Sequence, residues 1–308
     1  MTEKIRGIVL PAPTVFLEDG EVDEKLMREL TEFFITCGVH ALFILGSYGQ
    51  GPALAPGERK KVAAIVLDQV RHRIPCIVHV GAVDPYTAID LGKHARSIGA
   101  EAVGHVGPYY YSDRSDYEII EHFRMVDRAV GLPILVYNNP RYSGYNIHPM
   151  MMARLVEAVP NVFGAKLAMG SVDEAMAYMK AVAGPFAPFA LASNLVAAMS
   201  VGVQGTISPP LAVTPELGVE LVRAIDAGRL AEALALQKKV IRIHDLFLRL
   251  AGPFGRTIYR EAMRLRGFAV KMYPRWPSRP LSEEAREELE GLFADLSLIE
   301  SNARTKRA

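Results

Sequence analysis

Short apolar, β-branched runs recur along the chain at intervals of roughly thirty residues, the size of one strand-plus-helix unit. They cover residues 8–11, 41–45, 76–80, 102–106, 134–137, 162–167, 186–191 and 205–208. Between them, apolar residues are spaced as on a helix face: Leu26, Leu30, Phe33 and Phe34, then Val62, Ile65, Val66 and Val70. Such alternation requires parallel strands joined by right-handed crossovers, and eight units close into a (β/α)8 TIM barrel of the α/β class. An open, doubly wound sheet would carry a glycine-rich phosphate turn after its first strand. Here that turn reads Pro11-Ala12-Pro13-Thr14, and no GxGxxG or Walker pattern follows any run. Beyond the eighth run, stripes such as Leu230, Leu234, Val240, Ile243, Phe247 and Leu250, then Leu289, Leu292, Phe293 and Leu296, predict more helices. We therefore expect a barrel over residues 1–225 and a C-terminal helical extension over 226–308, packed together as one structural unit because no low-complexity linker separates them.

In a barrel, catalytic groups gather at the C-terminal ends of the strands. The sixth run, Val162-Phe163-Gly164-Ala165-Lys166-Leu167-Ala168, holds a single charge. Burial penalises the ammonium form, which favours a nucleophilic amine suited to Schiff-base chemistry on a carbonyl. A structural lysine that reaches a carboxylate or the strand end fits the same run. The second run ends in Gly46-Ser47-Tyr48-Gly49-Gln50-Gly51, the fourth in Gly107-Pro108-Tyr109-Tyr110-Tyr111, the fifth in Tyr137-Asn138-Asn139-Pro140 and the eighth in Gly205-Thr206-Ile207-Ser208. A lysine, tyrosines and a serine would converge on one mouth. With that set, the amine attacks a ketone, a phenol moves protons, and the iminium is the electron sink for carbon–carbon cleavage or formation. Each part also has a plainer use: the glycine segment as a flexible turn rather than a carboxylate-holding loop, Tyr137 as a core tyrosine, and most of Tyr109 to Tyr111 as packing or interface aromatics.

Composition narrows the class. Half the residues are hydrophobic and the formal charge is only +1, so there is no global basic field for nucleic acid or an anionic membrane. Cys37 and Cys76 lack metal-site or redox spacing and read as packed thiols, and the basic stretch 304–307 as a solvated tail. The eight histidines form no HxH or HExxH pair, so neither a metal nor another cofactor is expected. No apolar signal core or membrane-length run occurs, which makes the cytoplasm the expected compartment.

With these strand ends in view, the chain resembles the dihydrodipicolinate synthase and N-acetylneuraminate lyase family of class I, pyruvate-using aldolases. The resemblance runs through Pro13-Thr14-Val15-Phe16, Asp19-Gly20-Glu21-Val22-Asp23, Gly46-Ser47-Tyr48-Gly49-Gln50 with Pro56-Gly57-Glu58-Arg59, Pro108-Tyr109-Tyr110, Tyr137-Asn138-Asn139-Pro140, Gly164-Ala165-Lys166 and Gly205-Thr206-Ile207-Ser208. It implies that Lys166 is the Schiff-base lysine, Tyr137 the proton-transferring phenol and Ser47 the hydroxyl that relays protons to it. Tyr110 matches the tyrosine that reaches a neighbouring subunit's site in many members, which implies a homo-oligomer, at least a dimer and commonly a tetramer. Ile207 matches the residue whose main-chain carbonyl lies near the substrate, and Gly205 of the same motif is expected among the substrate-binding residues.

Two departures bear on the substrate. Tyr48 replaces the family's second hydroxyl residue, adding bulk and leaving the backbone amides of Ser47 and Tyr48 to meet the pyruvate carboxylate. In dihydrodipicolinate synthases an arginine follows two residues after the proline of the YNxP motif and meets the second substrate's carboxylate; this chain has Tyr142 there and Arg141 one place early. Together with Gly49-Gln50-Gly51-Pro52-Ala53-Leu54, Tyr273-Pro274-Arg275-Trp276-Pro277 and Pro280-Leu281, this is more similar to the 2-keto-3-deoxygluconate aldolase branch. The expected activity is a cofactor-free lyase joining or cleaving pyruvate and an aldehyde, with 2-keto-3-deoxy sugar acids as the favoured substrates. A dihydrodipicolinate synthase, a dehydratase using the same imine, and a keto-acid-binding barrel without turnover stand as alternatives.

Overall fold

The computed structural model describes residues 5–167, 171–271, 275 and 277–299. Ala168, Tyr273, Pro274, Trp276 and the basic stretch 304–307 lie outside the described residues. The strands are β1 (Gly7–Pro11), β2 (Ala41–Ile44), β3 (Cys76–His79), β4 (Ala102–His105), β5 (Ile134–Asn138), β6 (Val162–Leu167), β7 (Ala187–Ala190) and β8 (Gly205–Thr206). They pair in parallel in sequence order, and β8 returns to β1 to close the barrel. The eighth strand is shorter than the expected 205–208 run: pairing ends at Thr206, Ser208 Oγ accepts from Ala192 N–H at 2.8 Å, and Pro209 begins a helical turn.

Around the strands lie α1 (Glu24–Thr36), α2 (Pro56–Val70), α3 (Pro85–Ser97), α4 (Asp116–Val130), the single turn α5 (Pro140–Ser143), α6 (Pro149–Ala158), α7 (Val172–Ala181), α8 (Leu195–Ser200) and α9 (Pro215–Asp226). Three further helices follow: α10 (Leu230–Phe254), α11 (Thr257–Leu265) and α12 (Glu283–Asp295). None of the described helices is long and apolar enough to cross a membrane.

Strand alternation sorts side chains into two shells. Val9, Phe43, Ile77, Leu135, Phe189 and Ile207 fill the barrel interior. Ile8, Leu10, Ile44, Val78 and Val136 face the helices, in one continuous core that also takes in Phe247 and Leu250 of α10 and Leu289 and Phe293 of α12. In β6 the alternation is broken: Ile134 pairs with Val162 but Leu135 with Gly164, so Phe163 is an extra residue. Val162, Ala165 and Leu167 all face outward, and Lys166 faces in. Without this bulge Lys166 would share the parity of Val162 and point at the helices; the bulge aims it into the barrel.

Candidate active site

Lys166 and Tyr137 are register partners on the neighbouring strands β6 and β5, so both side chains enter the interior at one level. The Lys166 ammonium lies 4.2 Å from the centroid of the Tyr137 ring and 5.5 Å from that of Phe43. Lys166 is buried, 8% exposed, and has no carboxylate partner among the described residues. The structural alternative, a lysine neutralised by an acid, therefore has no acid here. Phe43 fills the interior beneath the amine: a Cβ added at Gly104 would lie 2.4 Å from its ring, so the glycine makes room for the aromatic floor.

The Tyr137 hydroxyl is 2.8 Å from Ser47 Oγ, and Asn139 Nδ2 donates to it at 3.5 Å. Burial alone would push the phenol up, but the Lys166 charge and the hydrogen bonds from Ser47, Asn139 and Lys166 outweigh it and hold Tyr137 below the ordinary tyrosine range. A phenol that gives up its proton more readily than usual is suited to reversible transfer.

Ser47 stands in the loop after β2, which folds back tightly: Gly51 N–H donates to the Gly46 carbonyl at 3.1 Å and Thr14 Oγ1 to the Gly49 carbonyl at 2.6 Å. At Gly51 a Cβ would come within 1.8 Å of the Leu45 carbonyl oxygen, so only glycine permits this return. The loop after β5 is fixed by Asn138, whose Nδ2 donates to Asn146 Oδ1, the Ile147 carbonyl and the Tyr178 hydroxyl, each at 3.0 Å. Asn139 then caps α5 by accepting from Arg141 N–H at 3.2 Å.

Between these loops lies a cavity of about 130 Å³ lined by Ser47, Pro52, His79, Val106, Tyr109, Tyr137 and Tyr142. Of the residues expected at the mouth, Lys166, Tyr137 and Ser47 come together. Ile207 is buried in the same interior shell. Gly205 lies at the barrel seam beside Gly7, where a Cβ would meet the Gly7 carbonyl oxygen at 2.0 Å, so close strand approach accounts for this glycine.

Two expectations need correction. The Tyr48 side chain adds no bulk to the cavity; it turns outward against Tyr259, ring centroids 4.9 Å apart, in a separate cleft below α11. Arg141 does not line the cavity either: its side chain is exposed, while Tyr142 takes the wall position with its ring 6.5 Å from that of Tyr137. The one-residue offset within α5 sends the two side chains in different directions. Tyr110 is 81% exposed at a φ of 82°, a backbone region that bulky residues rarely adopt.

Residues outside the expected set complete the site. His79 projects inward from β3, its ring 5.8 Å from Tyr137 and 5.9 Å from Phe43, and neither ring nitrogen has a hydrogen-bond partner among the described residues. Burial, with the nearby Arg59 and Lys166 charges, keeps its pKa well below the usual histidine value. Arg59, itself buried, donates to the carbonyls of His79 and Gly81 and so fixes the end of β3. Arg256, between α10 and α11, donates to the Ser47 carbonyl. Only the pattern at His79 was within reach of strand periodicity; Arg256 is 209 residues from its partner.

Comparison with known proteins identifies a family for nearly the whole chain. The dihydrodipicolinate synthetase family matches residues 4–295. YagE of Escherichia coli (strain K12), provisionally named a 2-dehydro-3-deoxy-D-gluconate aldolase, is 30% identical over 296 residues, 95% of this chain and 97% of the relative. The 4-hydroxy-tetrahydrodipicolinate synthase of Acidiphilium cryptum (strain JF-5) is 30% identical over 294 residues, covering 95% of this chain and 99% of the relative. The crystal structure of YagE in complex with pyruvate superposes with a TM-score of 0.88 at 29% identity, covering 96% of this chain and 99% of that one.

Proposed function

This chain belongs to the dihydrodipicolinate synthetase family, whose members are Schiff-base lyases acting on pyruvate, and from that premise we propose that it cleaves and forms 2-keto-3-deoxy sugar acids through an imine on Lys166. The observation that carries this is the convergence of the Lys166 amine, the Tyr137 phenol and the Ser47 hydroxyl in one buried cluster. Lys166 attacks the keto carbon of pyruvate or of the sugar acid. Tyr137 donates a proton to the departing carbinolamine oxygen, which leaves as water. In the cleavage direction the same phenol, as phenolate, takes the C4 hydroxyl proton while the C3–C4 bond breaks and its electron pair flows into the iminium, giving an enamine and an aldehyde. Ser47 relays the proton between the phenol and the mouth.

Tyr142 supports the sugar-acid substrate class. A phenol lines the wall here, and the Arg256 guanidinium behind it is engaged with the Tyr142 hydroxyl and the Ser47 carbonyl and does not line the cavity, whereas a dihydrodipicolinate synthase needs a cation facing the cavity for the carboxylate of aspartate semialdehyde. Such a charge-assisted contact contributes on the order of 1.5–3 kcal/mol, or roughly ten- to a hundredfold in specificity. The test is kcat/KM for pyruvate with glyceraldehyde and with aspartate semialdehyde, in the wild type and in Arg141→Ala. The proposal expects glyceraldehyde to be preferred in both; a preference for aspartate semialdehyde that collapses in the variant would reinstate the synthase. We also place the enzyme in the cytoplasm as a homo-oligomer. The strained, exposed Tyr110, stacked edge-on at 4.9 Å against the exposed Tyr111, is the surface through which a second copy would approach.

A further inference from the structure

The C-terminal helices place one cation against the proton relay. The helix α10 ends at Pro253 and Gly255, the latter at φ 59° and ψ −134°, and this turn lifts Arg256 towards the mouth of the barrel. Its guanidinium donates to two loops at once: Nη1 to the main-chain carbonyl of Ser47 after β2, and Nη2 to the hydroxyl of Tyr142 after β5 at 3.3 Å. Ser47 and Tyr142 both line the cavity beside Tyr137. Arg256 makes no ion pair among the described residues, unlike Arg266, which pairs with Glu216, and Arg286, which pairs with Glu261. Surface charge balance therefore does not account for its position.

The geometry points to Arg256 as a positioning residue for the Ser47–Tyr137 relay. The tight loop around Ser47 holds the carbonyls of Gly46 and Gly49, through Gly51 N–H at 3.1 Å and Thr14 Oγ1 at 2.6 Å, more firmly than that of Ser47. Within that segment its carbonyl accepts from Gln50 N–H at 3.3 Å, a long bond. A guanidinium on the same carbonyl fixes the plane, and with it the direction from which Oγ meets the Tyr137 hydroxyl at 2.8 Å. Arg256 does not touch the substrate in this arrangement; it acts through Ser47. The inference rests on the imine chemistry proposed above, and it makes turnover in the barrel depend on a side chain supplied by the extension.

A double-mutant cycle tests it, with kcat and KM for cleavage of 2-keto-3-deoxygluconate measured in the wild type, Arg256→Ala, Ser47→Ala and the double variant. Arg256→Ala should lower kcat roughly 10- to 100-fold with little change in KM, the size of a lost charge-assisted hydrogen bond. In the Ser47→Ala background the same change should cost less than about threefold in kcat, because the route through the Ser47 hydroxyl is gone and the contact with Tyr142 bears on substrate binding, read in KM. Arg256→Lys, which keeps a donor, should recover part of the loss. If Arg256→Ala fails to fold, Arg256→Gln runs the same cycle. Fully multiplicative losses, or an Arg256 variant with wild-type kcat, overturn the inference. Failure of wild-type enzyme to form a borohydride-trapped pyruvate adduct on Lys166 would instead overturn the imine chemistry beneath it.

Discussion

Replacing Tyr137 by Phe removes one oxygen from the centre of the cluster and leaves nearly all of its packing. The ring, 3% exposed, keeps its edge contacts with Phe43 and His79, and Lys166 keeps its place 4.2 Å above it. What is lost is the hydroxyl that meets Ser47 Oγ at 2.8 Å and accepts from Asn139 at 3.5 Å. The longer bond is marginal, so the folding cost is about one net hydrogen bond, roughly 0.5–1.5 kcal/mol. A loss of that size in a chain this long lowers Tm by no more than about 5 °C. The catalytic cost is of another order: without the phenol, proton transfer to the carbinolamine and from the C4 hydroxyl falls to Ser47 or water. A general acid–base group contributes about 10²- to 10⁴-fold. Pyruvate release from 2-keto-3-deoxygluconate, followed by coupled reduction to lactate, should show kcat down by that factor with KM changed much less. A Tyr137→Phe enzyme within about threefold of wild type, under conditions where chemistry limits turnover, would refute the proton-transfer role, since the accepted lower bound is about a hundredfold.

Gly104→Ala should drive a methyl into the Phe43 ring under Lys166, costing roughly 1–3 kcal/mol of stability and lowering turnover; denaturant unfolding and kcat measured on one preparation check both, and unchanged stability would refute the crowding argument. His122, stacked on His105 at 5.1 Å, has its pKa pushed down to about 4 by burial. Its folded value lies below the unfolded one, near 6.5, so the neutral form stabilises the fold above that pH and its contribution is lost as pH falls towards 4. Stability should therefore fall over that window by up to on the order of 3 kcal/mol for this group, and His122→Leu should flatten the decline; an equally steep decline in the variant would rule out His122 as its source.

The barrel was legible in sequence because eight apolar runs at unit spacing have few alternative folds. Lys166, Tyr137 and Ser47 were legible because each closes such a run with a chemistry-bearing side chain. Other features depend on quantities that periodicity does not carry. Strict alternation from Val162 points Lys166 at the helices; the inward turn comes from a bulge at Phe163. Tyr48 is adjacent to Ser47 in sequence but turns the opposite way, towards Tyr259, because the Gly46–Gly51 loop folds back on Leu45. Arg256 approaches Ser47 across 209 residues through the packing of α10, and no local pattern marks it. Nothing in the sequence separates His79 from the other histidines, since its place at the site comes from strand parity and a shared cavity rather than from a ligand-pair motif.

The proposed chemistry turns on the buried amine of Lys166 forming the imine. Wild-type enzyme incubated with pyruvate and sodium borohydride, digested and analysed by mass spectrometry, should carry the reduced pyruvate adduct on the peptide containing Lys166, and Lys166→Ala should carry none while retaining a folded barrel. An adduct on a different lysine, or none in an enzyme that turns over, would contradict it.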